Sequence, residues 1–200
     1  MPKKRNNGDE RARQMLAQEA ARIIVNHGVR DYRAAKIKAA ERLGFHTRGA
    51  LPGNAEIEQA VSEHLQLFRG ESHGDFLLEL RKTAIDAMDL LGAFSPRLVG
   101  PVLNGTADEH SAINLHVFAG HPERVVDTLA GAGISYKPYE RRLKSRRGQT
   151  DAFAGFQFEM DHSTIEATVF PENGIRQAPL SPITGKPMQR ADKKTVAEML

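Results

Sequence analysis

The chain has 200 residues, 40% of them hydrophobic and 26% charged, with a net charge of +3 and no cysteine. That length suits one domain, or one domain with a helical annex, and the absent cysteines exclude disulfides, thiolate catalysis and cysteine-ligated zinc. No apolar run approaches the ~18 residues of a membrane helix, and the charged start MPKKRNNGDERARQ lacks the apolar stretch of a signal peptide, so a cytoplasmic protein without a membrane partner is expected.

In chain order, Met15, Leu16, Ala20, Ile23 and Ile24 recur at helical spacing over 10–27, and Gly28 supplies a left-handed stop. Asp31 is placed to cap a second helix, DYRAAKIKAAERL, closed by Gly44. Asn54 caps a predicted third helix running to about Arg69, with Gly70 after it. A fourth spans about Asp75–Ala93, and Ser95-Pro96 stops it. The period then changes to that of strands: RLVGPVL (97–103), AINLHVF (112–118), 134–145, FAGFQFEM (153–160) and STIEATVF (163–170), with a helix over Pro122–Ala132. Asp161-His162 reads as a tight hairpin turn, the proline-rich tail as an extended strap, and a short last helix starts near Asp192. The expected organisation is a helical segment over 1–72, an α+β domain over 73–170, and the strap and short helix over 171–200.

Because strand side chains alternate between faces, Ile113, Leu115 and Val117 are expected to pack on the fourth helix. The other face, if these strands are neighbours, gathers Asn114, His116, Gln157, Glu159, Glu166 and Thr168. One wet face is also the ordinary condition of an antiparallel sheet.

The stretch LVGPVLNGTADEHSAINLHV resembles the signature of the nucleotidyltransferase superfamily, the DNA polymerase β-like fold in its minimal form. That signature is a strand, Gly-Ser, a glycine-containing turn, then Ser-Asp-x-Asp on the next strand. Without a gap, Gly100 takes the first glycine, Gly105-Thr106-Ala107 the turn and Ser111 the serine before the acids. The resemblance implies a mixed or antiparallel sheet packed on helices, and a bound nucleotide with Mg2+. Such chemistry needs carboxylates at i and i+2 on one strand and a third on a neighbour, because magnesium prefers hard oxygen ligands. Here Pro101 replaces the serine, Ala112 the first acid and Asn114 the second, while Glu166 matches the third. Glu166 and Asn114 are therefore the catalytic candidates that the resemblance implies, with Gly100, Gly105, Thr106, Ser111 and His116 for the nucleotide. Glu166 is the candidate metal ligand, and Asp108, Glu109 and Glu159 are the acids available to supplement it.

Three segments, HGVRDYRAAKIKAAERLG, LPGNAEI and PLSPITGKPM, are also similar to bacterial proteins of about this length, which implies a bacterial source. Some of those carry names borrowed from nucleotidyltransferases, others from the ligase joining UDP-N-acetylmuramate to alanine. The ligase name finds no phosphate loop here, since the single Gly-Lys, Gly185-Lys186, precedes a proline.

Three readings follow. The first is a nucleotidyltransferase-fold module, catalytically impaired, that binds a nucleotide or a protein partner. The second is an active metal-dependent transferase with remodelled acids. The third is a nucleic-acid-binding protein using its basic helices (Arg30, Arg33, Lys36, Lys38, Arg42) and the run ERRLKSRRGQ, with Arg141, Arg142, Lys144, Arg146 and Arg147 on a hairpin rim.

Overall fold

The protein is described from a computed structural model covering residues 7–29, 31–45, 51–145 and 148–200. It is α+β, and the chain divides into two units, residues 1–73 and 74–200. The tail belongs to the second unit and forms no third one.

In the first unit, α1 (Asn7–His27) and α2 (Tyr32–Leu43) are followed by the first part of α3 (Asn54–Leu90). Asp31 caps α2 by accepting from the Arg33 amide at 2.8 Å, and Gly44 ends it at φ +67, as the local signals predict. The core is built largely of alanine: Ala17, Ala20, Ala21, Ala35, Ala39 and Ala40 are buried with Ile23, Ile57 and Leu65. Small side chains on facing helices let the backbones approach closely. α2 ends at Leu43 and α3 begins at Asn54, a separation in sequence greater than the three or four residues of a helix-turn-helix. Of that unit's basic residues, Arg42 pairs with Glu19 and Lys36 donates to Asn54; Arg30 lies outside the described residues.

The predicted third and fourth helices are one, since α3 is 37 residues long and passes through Gly70 and Gly74. A helix-interior glycine costs about 1 kcal/mol relative to alanine but removes no hydrogen bond, unlike proline.

In the second unit, β1 (Arg97–Val99) leads through Gly100 into a single helical turn, α4 (Pro101–Asn104). β2 (Ile113–Phe118), α5 (Glu123–Gly131), β3 (Tyr136–Lys144), β4 (Thr150–Met160), β5 (Ser163–Phe170) and α6 (Lys193–Ala197) follow. The first predicted strand stops four residues early. Gly100 turns the chain at φ +74, ψ −151, and Pro101, with its φ already fixed, suits the first helical position.

The sheet is mixed, in the order β1-β2-β5-β4-β3. β2 and β5 are parallel, and the other neighbours antiparallel. Asp161 and His162 make the β4–β5 turn with φ of +47 and +63. The apolar face carries Ile113, Leu115, Val117, Phe156, Phe158, Ile165 and Ala167. It packs with Leu80, Ala84, Met88 and Leu91 of α3, and with Val125 and Leu129 of α5. Each fully buried aliphatic side chain contributes about 1.5–3 kcal/mol, so this layer fixes the register of the opposite face.

Candidate functional site

Three rows of side chains cross that opposite face. The first runs Asn114, Glu166, Gln157, Lys137, and the second Arg97, His116, Thr168, Gly155, Tyr139. Phe118, Phe170, Phe153 and Arg141 stand in the third. The register thus pairs Asn114 directly with Glu166, as alternation predicts.

The expected wet face is dry at its centre, because His116 and Thr168 are each only 1% exposed. Part of the cover is Tyr139, which lies across β4 so that its hydroxyl and the Thr168 hydroxyl are 2.9 Å apart. Only glycine permits this, since a Cβ on Gly155 would stand 2.2 Å from Tyr139 Cζ. Burial raises the Tyr139 phenol above its ordinary range.

Arg141 lies over the Tyr139 ring, 5.3 Å from its centroid. Its guanidinium then forks: Nη1 donates to Asn114 Oδ1 at 3.0 Å and Nη2 donates to Glu166 Oε2. Asn114 is held from its other end, Nδ2 donating to Ala112 O at 2.9 Å. Arg141, read from sequence as part of a solvated hairpin rim, thus turns onto the sheet. Arg142 pairs with Glu140 instead, and Arg146 and Arg147 lie outside the described residues. The Lys144 carbonyl accepts from the Leu180 amide at 2.7 Å, which ties the tail to β3.

The residues present do not fit a magnesium site. The positions that would supply oxygens hold one carboxylate and one amide, and both are already bonded to a cation. Of the supplementary acids, Asp108 and Glu159 are hydrogen-bonded elsewhere. Asp108 closes its own turn, Oδ1 accepting from the Ser111 hydroxyl at 2.8 Å and from the His110 amide at 3.0 Å. Glu109 lies beside His110, and Glu159 accepts from Thr164 at 2.8 Å. Among the described residues no three His, Cys, Asp or Glu side chains converge as a metal centre would require.

The glycine turn carries ordinary structural bonds. Gly105, at φ +78, ends α4, and the Thr106 amide donates to Pro101 O at 3.0 Å. Ser111 is spent on Asp108.

His116 is a core acceptor. Arg190, from the tail, donates from Nε to His116 Nδ1 at 3.0 Å, which leaves the ring proton on Nε2. Burial, reinforced by Arg190 and Arg141, pushes the imidazole down to about 3, so the ring is neutral at ordinary pH. Arg190 also donates from Nη1 to Gly174 O at 2.8 Å and lies over the Phe118 and Phe170 rings, 5.0 and 4.9 Å from their centroids.

Sequence reasoning missed Tyr139, Gly155, Arg190 and the role of Arg141. One signal for the first two was present: a lone glycine inside the apolar strand FAGFQFEM marks a close approach.

The Arg141–Glu166 pair, with side chains 33% and 19% exposed, is partly shielded from water. A double-mutant cycle with Arg141→Ala and Glu166→Ala is expected to give a coupling of about 1–2 kcal/mol, read from urea unfolding. Additive single costs would show that the pair contributes nothing to stability.

Two grooves, of about 670 and 340 Å3, are lined by other residues. The larger is rimmed by Asp9, Glu10, Glu56 and Glu63, the smaller by Glu79, Asp86 and Asp161. No helix among the described residues is long and apolar enough to cross a membrane. Compared with models of known protein families and with curated protein sequences, the chain gives no match.

Proposed function

We propose that residues 74–200 form a nucleotidyltransferase-like scaffold that binds a nucleotide or a partner and does not carry out metal-dependent transfer. The single observation that carries this reading is the Arg141 guanidinium, bonded at once to Asn114 and Glu166. In the family these positions hold carboxylates, and carboxylates need a divalent cation to offset their charge. In this chain a tethered monocation supplies the positive charge, and the remaining oxygens are neutral or already paired. The strand, glycine turn and second strand beside a parallel strand bearing Glu166 support the scaffold half of the reading.

A thermal-shift panel of nucleoside triphosphates, each with magnesium and with EDTA, tests it. A ligand that binds only the folded state at 100 times its Kd adds about 2.7 kcal/mol, an easily read shift. The expected result is a shift of equal size with metal and with EDTA. A shift that requires metal and disappears in Glu166→Ala would instead support an active transferase. No shift with any nucleotide would remove the nucleotide half of the reading.

A further inference from the structure

The two edges of the sheet differ. β1 is closed by the tail: the Leu98 amide donates to Ala191 O at 2.8 Å, and the Ala191 amide to Leu98 O at 3.0 Å. β3, at the other edge, pairs on one side only, with β4, in an unbroken register from Tyr136 to Lys144. Two bonds at its end show which backbone groups point outward. The Ser145 amide donates to Gln149 O across the β3–β4 connection, so residue 145 faces inward. The Lys144 carbonyl faces out and accepts from the Leu180 amide at 2.7 Å. Because strand backbone groups alternate, Arg142, Glu140, Pro138 and Tyr136 also present theirs outward. Among the described residues no backbone hydrogen bond closes these four positions.

The open stretch offers amides at Tyr136, Glu140 and Arg142 and carbonyls at all four residues, repeating about every 7 Å. That alternation matches the backbone of an added strand, and its carbonyls would repel a phosphate chain. The side chains are cationic: between Tyr136 and Gly148 stand Lys137, Arg141, Arg142, Lys144, Arg146 and Arg147, against the single acid Glu140. Arg141 is spent on Glu166, whereas the Glu140–Arg142 pair is well exposed and therefore weak. Lys137 and Lys144 are exposed as well. A second copy of this chain does not fit the edge. Pairing Glu140 with a second Arg142 sets Arg141 against Arg141 and runs Pro138 into the Lys144 end that Leu180 already closes. Pairing Glu140 with its own counterpart opposes two carboxylates, and pairing it with Pro138 opposes Lys137 to Arg141.

We infer that the β3 edge, from Tyr136 to Arg142, takes an acidic extended segment of another protein as an added strand. The main chain supplies the affinity, and acidic side chains answer Lys137, Arg142 and Lys144. The Lys144 carbonyl, held by Leu180, marks one end of the site. Pro138, which gives a carbonyl and no amide, is tolerated because it stands on an edge. The inference concerns the sheet edge alone and holds whether or not the scaffold binds a nucleotide.

The test titrates the full chain with a blocked peptide of about seven residues that alternates glutamate with valine. Backbone amide signals and hydrogen exchange follow the binding. Saturation below about 1 mM is expected, with exchange slowed at Glu140 and Arg142 and unchanged at Arg141, whose amide already faces β4. Methylating the amide nitrogens of all the glutamates, or of all the valines, separates backbone pairing from charge attraction. One methylated peptide should bind nearly as well as the parent and the other at least about tenfold more weakly. Lys137→Glu and Lys144→Glu, both at exposed side chains, should each weaken binding about fivefold. No saturable binding, equal binding of the two methylated peptides, equal binding of a lysine–valine peptide, or unchanged affinity in both lysine variants would each overturn the proposal. Protection of Glu140 and Arg142 that grows with protein concentration alone would also overturn it and give the edge to a second copy. Binding of oligouridylate with the same amide shifts, and none of the peptide, would overturn it in favour of a nucleic acid.

Discussion

Gly155→Ala is expected to lower the stability of the sheet unit by about 2–4 kcal/mol, although it adds a single methyl group. In an ordinary strand the change would help, since alanine loses less backbone entropy than glycine on folding. Here the new Cβ would meet Tyr139 Cζ at 2.2 Å, Cε2 at 2.4 Å and the hydroxyl oxygen at 2.6 Å. The ring has to leave the strand. With it go the hydrogen bond to Thr168, the burial of one ring face and the surface on which Arg141 rests. A net hydrogen bond is worth about 1 kcal/mol, a cation over an aromatic ring about 0.5–1, and the lost ring burial supplies the remainder. The measurement is hydrogen-exchange protection of the β5 amides, which reports on this unit separately from the helical one. The same substitution in a Tyr139→Ala background should cost less than about 0.5 kcal/mol, because nothing remains for the methyl to displace. An equal cost in both backgrounds would show that Tyr139 is not what excludes a side chain at position 155.

The second large effect is on pH. The folded state holds the His116 pKa at about 3, against 6.5 for a free imidazole. Between those values the unfolded chain takes up a proton that the folded chain refuses, so stability rises with pH across the window. The contribution is complete above pH 6.5 and is lost as pH falls toward 3. At pH 5 the loss is expected to be about 2 kcal/mol relative to pH 7. Glu19, Glu56 and Asp192 are held below the usual carboxylate range by their partners, so they remain ionised between pH 5 and 7 and leave this interval to histidine. His116→Gln keeps an acceptor for Arg190 but cannot titrate. The variant should be less stable than the wild type at pH 7, with the gap narrowing by about 2 kcal/mol at pH 5. A gap that stays constant would mean that His116 takes up its proton equally in the folded and unfolded chain, and a gap that widens would mean that it is already charged in the folded protein.

Local signals carried much of the fold. The Asp31 cap and Gly44 stop bound α2 as predicted, and the Asp161-His162 turn joins β4 to β5 where alternation resumes. Alternation alone placed Asn114 and Glu166 on one face. What sequence could not supply was pairing across distance. Arg141 reads as a rim residue until the β3–β4 and β4–β5 registers are known; only then does it sit two strands from Glu166 with Tyr139 beneath it. Arg190 reaches His116 from 74 positions along the chain, out of a tail whose prolines predicted only an extended course. The missed helix boundary has a different cause. Gly70 and Gly74 weaken a helix without ending it, and α3 continues through both.

On the proposed reading, the Arg141 guanidinium stands where nucleotidyl transfer would need metal. Adding manganese, a paramagnetic stand-in for magnesium, and following the backbone amide signals of Asn114, Glu166 and Gly100 puts that reading to the test. No broadening confined to these residues is expected in the wild type, with or without a nucleoside triphosphate. Selective, saturable broadening at Asn114 and Glu166 that Glu166→Ala abolishes would contradict it, and would mean that Arg141 yields its place to a metal.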